Sequence, residues 1–346
     1  MRVEASSGPP APSFGRRLLR GTIAHPAVQV AILIWIALNA LAIWLARGFL
    51  PFDRPALAAA PFGVQMALPT AGLIEVFLLM AVVHALTRKR SAPDVAARAP
   101  GRAVAARETA AVLAYAMTGQ AGGWLLGPAL GYRPFSFHLA GTLVGCSVPA
   151  SPGEAMVWAG YNFLIFAVAP YLWFRRRYSA EALNLRSTAP WNDLLVIVVI
   201  GVLETATELA AFPGIFKLTA HQFLIAGPLA FLLFGLGTVL PTMVLIYAIL
   251  LPRYLRLTGS FTLTVLMGGV TYAAMHLVEG WSNFANPADA ALSLIFVFLT
   301  YQGPGMFKAF VTLRTGYAWV HAIGYHAIAP HLVVDAPLIA KVFAIG

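Results

Sequence analysis

Residues 316–337, GYAWVHAIGYHAIAPHLVVDAP, carry His321, His326 and His331 five residues apart, with Pro330 before the last of them and Asp335 four residues after it. Imidazoles and carboxylates bind metals and move protons near neutral pH. On a helix of 3.6 residues per turn, five residues advance about 140°. The three imidazoles therefore do not share one face of a straight helix, and a three-histidine metal site there is not expected; HExxH uses i, i+4 for this reason. Pro330 lacks an amide donor, so a kink is expected beside it, freeing the carbonyl of His326. A second group lies in VLETATELAAF, where Glu204 and Glu208 are four residues apart and share a helical face. A third is Tyr272 and His276 in YAAMH, with Glu279 just beyond.

What these groups can do depends on their surroundings. Of the 346 residues, 60% are hydrophobic and 10% charged, whereas a soluble domain carries about 25% charged residues. The composition is that of an all-α, polytopic integral membrane bundle whose surroundings are the lipid bilayer. The net charge of +10 falls in short clusters between apolar runs and is not interleaved with aromatics, which excludes a nucleic-acid surface. Cys146 is the sole cysteine, so neither an intramolecular disulfide nor a CxxC metal site exists.

Runs long enough to cross about 30 Å of hydrocarbon fall near 27–46, 64–86, 110–130, 155–174, 192–211, 224–251, 261–281, 290–308 and 317–341. They predict about nine transmembrane helices. The run at 27–46 is longer than the roughly 7–15 residues of a signal-peptide core and reads as a retained first span. Placing the N-terminus in the cytoplasm puts 18 lysines and arginines, Lys308 among them, in inner segments. Arg47, Arg54, Arg133, Lys217 and Lys341 remain outside, which puts the C-terminus outside and favours a bacterial inner membrane. Residues 131–154 read as an outer loop in which HLAGTLVG is a re-entrant or interfacial piece.

Ionisable residues in a span are costly and are functional candidates. Glu75, His84, Glu204, Glu208, His276, Glu279, His321, His326, His331 and Asp335 qualify. His84 sits next to TRKR, where it is expected only to be solvated. At 1.5 Å per residue, Glu204 lies about 17 Å, His326 about 15 Å, His331 about 22 Å and His276 about 25 Å from the inner helix ends. These four can share one level. His276 and His326 are expected to face each other across a polar cavity, with His321 serving packing or hydrogen bonding.

Pro241 to Asp335 resembles the CPBP family of intramembrane proteases, which includes the prenyl-protein CAAX endopeptidases. LPRYLRLTGS (251–260) resembles the family's basic loop, YAAMH (272–276) its Phe-xxx-His helix with Tyr272 for Phe, and LRTGYAW leading to HAIAP (326–330) its His-xxx-Asn helix. The Glu-Glu-xxx-Arg motif would fall near PTMVLIYA, which offers Thr242, Met243 and Tyr247, and Pro330 with His331 stands where the family has Asn.

The resemblance implies an endopeptidase acting on membrane-anchored protein or peptide substrates. Glu204 and Glu208 would substitute for the missing acid, His276 and His326 would complete the catalytic set, and Tyr272, His331 and Asp335 would support it. Glu204 and Glu208 read equally well as a structural pair. No particular cofactor is implied, and a divalent metal is compatible with the Glu/His set. The chain then divides into a cytoplasmic disordered tail (1–24), about four N-terminal helices (25–190) and a CPBP-like core (191–346). The missing acid keeps open a non-catalytic membrane scaffold of the same fold, and the buried polar groups keep open an ion- or proton-coupled transporter.

Overall fold

The computed structural model describes residues 24–52, 60–140, 142 and 148–346. All regular structure among them is helical. The tail expected at 1–24 falls outside the described residues except for Ala24, as do Arg54, Cys146 and half of HLAGTLVG.

Nine rods follow one another: α1 (Pro26–Ala46), α2 (Phe62–Thr87), α3 (Arg102–Ala129), α4 (Pro152–Arg175), α5 (Pro190–Ala211), α6 (Ala220–Thr258), α7 (Phe261–Ala274), α8 (Pro287–Thr315) and α9 (Trp319–Val334), the last bent by 46° into a short α10 (Ala336–Val342). Six of them, α1, α2, α4, α5, α6 and α8, are long and apolar enough to cross a membrane, and α9 with α10 makes a seventh if the bent pair is one span. The protein is an integral membrane helix bundle. The outward faces of α1 and α5 are apolar, with Leu33 and Val202 each about two-thirds exposed. In a membrane that surface meets lipid rather than water.

α6 is buried along most of its length, and every residue from Thr242 to Tyr254 is buried. Thr242 hydroxyl donates back to the Thr238 carbonyl at 2.9 Å, and Tyr247 hydroxyl donates to the Gly305 carbonyl of α8 at 3.3 Å. Where the resembled family has its acids, this chain has core packing.

Two close backbone crossings set the rest. A Cβ placed on Gly305 of α8 would lie 2.5 Å from Tyr272 Cβ and 2.9 Å from Gly269 Cα on α7. One placed on Gly324 of α9 would lie 3.0 Å from Ile197 Cα on α5. Small residues allow such approach in bundles that hydrophobic burial alone does not hold together.

Three arginines tie one end of the bundle. Arg90 pairs with Asp193 and donates to the Thr315 carbonyl, Arg98 donates to the Gly316 carbonyl at 2.7 Å, and Arg314 donates to the Thr87 carbonyl at 3.0 Å. They satisfy the carbonyls that helix C-termini leave unpaired.

The structure revises several sequence expectations. Lys308 is not in a loop: α8 continues for about two more turns to Thr315, and Lys308 is buried. The true stop is Gly316 at φ 66, matched by Gly259 at φ 64 ending α6, so both Thr-Gly pairs are helix C-caps. Arg253, assigned to the basic loop, is buried in α6 and bonded to Glu108 of α3 at 2.7 Å. α7 stops at Ala274 instead of near 281, because Glu279, Gly280, Ser282 and Asn283 form a polar turn. His276 thus lies beyond the helix end.

Gly305→Ala is expected to push α7 from α8 and to destabilise the bundle by about 1–3 kcal/mol, the usual cost of overpacking. Gly72→Ala on α2, where nothing lies within 4 Å of the added carbon, should be neutral or slightly stabilising. Thermal unfolding in mild detergent compares the two, and equal midpoints would contradict the crossing argument.

Candidate functional site

Where α5, α7, α8 and α9 converge, they line a partly open cavity of about 190 Å³, room for about six waters at roughly 30 Å³ each. Glu204 and Glu208 of α5 line it, with Tyr272 of α7, Tyr301 and Lys308 of α8, His326, Pro330 and His331 of α9, and Asp335 at the bend between α9 and α10. His138 and Thr142 close it from the segment before α4.

The winding of α9 accounts for two of the five-residue-spaced histidines. Residues 322–334 follow π-type i→i+5 hydrogen bonding. Residues five apart then stack as residues four apart do in an α-helix. His326 and His331 thereby share the cavity, their ring centroids 5.2 Å apart. The straight-helix expectation fails for this pair because the hydrogen-bond register changes. His321 begins the same register outside the cavity, its ring 4.4 Å from Tyr247. In the i→i+5 scheme, the carbonyl that Pro330 leaves without its helical donor is that of Tyr325, not His326. The bend comes five residues later, at Asp335, whose amide donates to the Pro330 carbonyl at 3.0 Å.

Each cavity imidazole has one nitrogen held and one free among the described residues. His326 Nε2 is 3.2 Å from the Tyr272 hydroxyl, leaving Nδ1 without a partner. His331 Nδ1 is 2.8 Å from Asp335 Oδ2, leaving Nε2 without one. Glu204 is buried, and its Oε2 has no hydrogen-bond partner. Lys308 Nζ sits 3.7 Å from the centre of the Tyr272 ring and interacts electrostatically with Glu204. An acid and an amine sharing a cavity offset part of each other's desolvation. Glu75 of α2 lies within electrostatic range of Glu204 and Glu208. His84 occupies the last turn of α2, away from the cavity lining.

His276 does not line the cavity or face His326 across it. Tyr272 stands between them, its ring 4.4 Å from His276 and 6.0 Å from His326. His276 instead stacks on Tyr301 at 4.1 Å and neighbours His138 at 4.9 Å. Glu279 joins them, its Oε1 accepting from His138 Nδ1 at 3.3 Å. This second cluster adjoins the cavity through His138.

Sequence reasoning missed His138 and Lys308. The segment 135–140 is irregular yet buried apart from His138, which is half-buried. Non-helical backbone at such depth needs partners. The Ser136 carbonyl accepts from Trp158 Nε1 at 2.8 Å and from Asn162 Nδ2 at 2.9 Å, and the Phe137 carbonyl accepts from the Thr238 hydroxyl. The available signal was RPFSFHL, too aromatic for a solvated loop. For Lys308 it was the Gly316 stop, which places the lysine inside the helix.

Comparison with known proteins finds no family model, curated protein or solved structure that matches the chain. The resemblance over 241–335 therefore rests on the motif residues themselves.

Asn162 also donates to the Gly237 carbonyl at 2.9 Å, so it bridges the buried segment to α6. Asn162→Leu removes a side-chain donor from the Gly237 carbonyl and one of the two donors to the Ser136 carbonyl, which keeps Trp158 Nε1, and should cost about 1–3 kcal/mol. A thermal midpoint unchanged from wild type would show that the segment is held by packing alone.

Proposed function

We propose that the protein is an intramembrane endopeptidase of CPBP type, hydrolysing membrane-anchored protein or peptide substrates in the cavity between α5, α7, α8 and α9. The observation that carries this reading is the buried Glu204, with an unpartnered oxygen, in one cavity with the free nitrogens of His326 and His331. Glu204 takes the proton of an attacking water as general base. His326, oriented by the Tyr272 hydroxyl, and Lys308 Nζ, a hydrogen-bond donor in either protonation state, stabilise the oxyanion that develops on the substrate carbonyl. Asp335 holds the ring of His331, whose free Nε2 takes the proton from Glu204 and passes it to the leaving amine. Glu208 supports Glu204 from the same helical face, one turn away. His276 acts from behind Tyr272 and Tyr301 as a positioning residue.

In this reading all nine rods traverse or enter the bilayer, with the N-terminus cytoplasmic and the C-terminus outside, in a bacterial inner membrane. Arg88, Lys89, Arg175, Arg176 and Arg177 are exposed and supply the inner positive charge. Reporter fusions after Arg90, Arg177 and Gly346 check this. The first two should read cytoplasmic and the last external, and a cytoplasmic reading at Gly346 would reverse the arrangement.

Comparing new protein N-termini in membranes of cells that produce the wild type or Glu204→Gln tests the chemistry. Cleavage should fall by roughly 10²–10⁴-fold, the usual contribution of a general base, while folded protein persists. Undiminished cleavage in a Glu204→Gln, Glu208→Gln double variant would remove α5 from the mechanism.

The electrostatic cluster of Glu75, Glu204, Glu208 and Lys308 supports a second reading, a proton-coupled transporter, since buried acid and base groups mark proton relays. Proton-driven uptake by proteoliposomes, lost in Lys308→Met and with no cleavage by any form, would favour it. Retained partner association with neither activity would favour a scaffold.

A further inference from the structure

Beside the cavity, His138, His276 and Glu279 come from two irregular segments rather than from one helix. Their ligand atoms all lie within 4.8 Å of one another. His276 is fully buried, and its Nδ1 donates to the Tyr272 carbonyl at 2.6 Å. That bond fixes the tautomer. The lone pair is then on Nε2, which has no hydrogen-bond partner among the described residues. Metal-ligating histidines are held in this way, with the distal ring nitrogen donating to a carbonyl or carboxylate.

Glu279 is almost completely buried, and His138, at 3.3 Å, is its only side-chain ion-pair partner among the described residues. A carboxylate taken this far from water needs a strong positive partner. The His138 and His276 rings lie 4.9 Å apart at 44° to each other, so their nitrogens can converge on one point.

We propose that His138, His276 and Glu279 bind a single divalent transition metal of the zinc class. Two imidazole nitrogens and one carboxylate oxygen form the ligand set of zinc sites that keep an open position. The set has too few oxygens for calcium or magnesium and no thiolate to select copper(I). Zinc bonds of about 2.0–2.2 Å draw the three ligand atoms closer by something on the order of 1 Å, within reach of side-chain rotation. The site adjoins the cavity, which His138 also lines. His331, its ring 6.0 Å from His138 and its Nε2 free, stands on that side. The metal would also pin the buried 135–140 segment to the turn after α7. This inference does not rest on the hydrolytic reading, since a bound metal is detected without any turnover.

The full-length protein in detergent, stripped with a chelator and desalted after addition of zinc alone, should retain one zinc per chain by elemental analysis, with a raised unfolding midpoint. His276→Ala and Glu279→Gln should each lower zinc affinity by at least the roughly 10–100-fold that loss of even an outer-shell partner produces. Glu204→Gln should bind as wild type does, even where it abolishes cleavage. Folding of the variants need not be assumed, because cobalt(II) reports directly on the wild-type site. Intense visible absorption of a four- or five-coordinate ion is expected. Well under one zinc per folded wild-type chain, only the weak absorption of six-coordinate cobalt, or full zinc retention in the His276→Ala, Glu279→Gln double variant would each overturn the proposal.

Discussion

The closeness of Gly305 to Gly269 and Tyr272, and of Gly324 to Ile197, is the constraint on which the polar interior depends. Neither crossing admits a Cβ without backbone movement. Lipid tails are as apolar as leucine, so these helices are not squeezed together by hydrophobic burial and must be held by contact packing and interior hydrogen bonds. At the first crossing, α7 presents Tyr272 to α8, where Lys308 approaches its ring. The second brings Glu204 and Glu208 of α5 level with His326 and His331 of α9. Were either pair a side chain's width further apart, the cavity would open to lipid, and its acids and amine would lose their mutual compensation.

Once the helices are that close, the register of α9 decides which groups meet. An α-helical 322–334 would turn His331 about 140° from His326. The i→i+5 winding costs hydrogen-bond geometry, and such turns occur mostly as short bulges at functional sites. Here it runs for 13 residues and contains Pro330, which cannot donate within either register. Asp335 ends it, its carboxylate bonded to His331 and its amide to the Pro330 carbonyl. The same residue thus stops the winding and orients the ring that the winding exposes.

These causes explain what was legible in the sequence. Each of the nine expected runs has a helix, but only six, or seven with α9 and α10 as one span, are long and apolar enough to cross a membrane. The acid pair was readable because i, i+4 spacing survives any packing of an ordinary α-helix, and both glutamates line the cavity. The partners of the histidines were not readable, since periodicity assumes one register throughout and α9 changes it. Nor was the end of α7, because the turn that follows it, with Glu279 buried and Gly280 exposed, looks from sequence like the outer end of a span. Positive charge misled in a similar way. Lys308 and Arg253 were counted as topology signals, but one faces Glu204 across a cavity and the other is bonded to Glu108. A cation satisfied by a buried acid carries no information about the side of the membrane.

The two polar clusters, the cavity and the His138 group, share a wall built by Tyr272 and Tyr301. Tyr272 hydroxyl meets His326, its carbonyl meets His276, and its ring meets Lys308. Tyr301 stacks on His276 and on His138. The two clusters therefore meet at these two aromatic rings and at His138, which lines the cavity and bonds Glu279. The ring of Tyr272 supplies the packing and the lysine contact, and its hydroxyl supplies only the bond that orients His326. Phenylalanine, which the resembled family carries at this position, keeps the first role and abandons the second. The tyrosine thus ties His326 to α7 by a bond that a phenylalanine could not make.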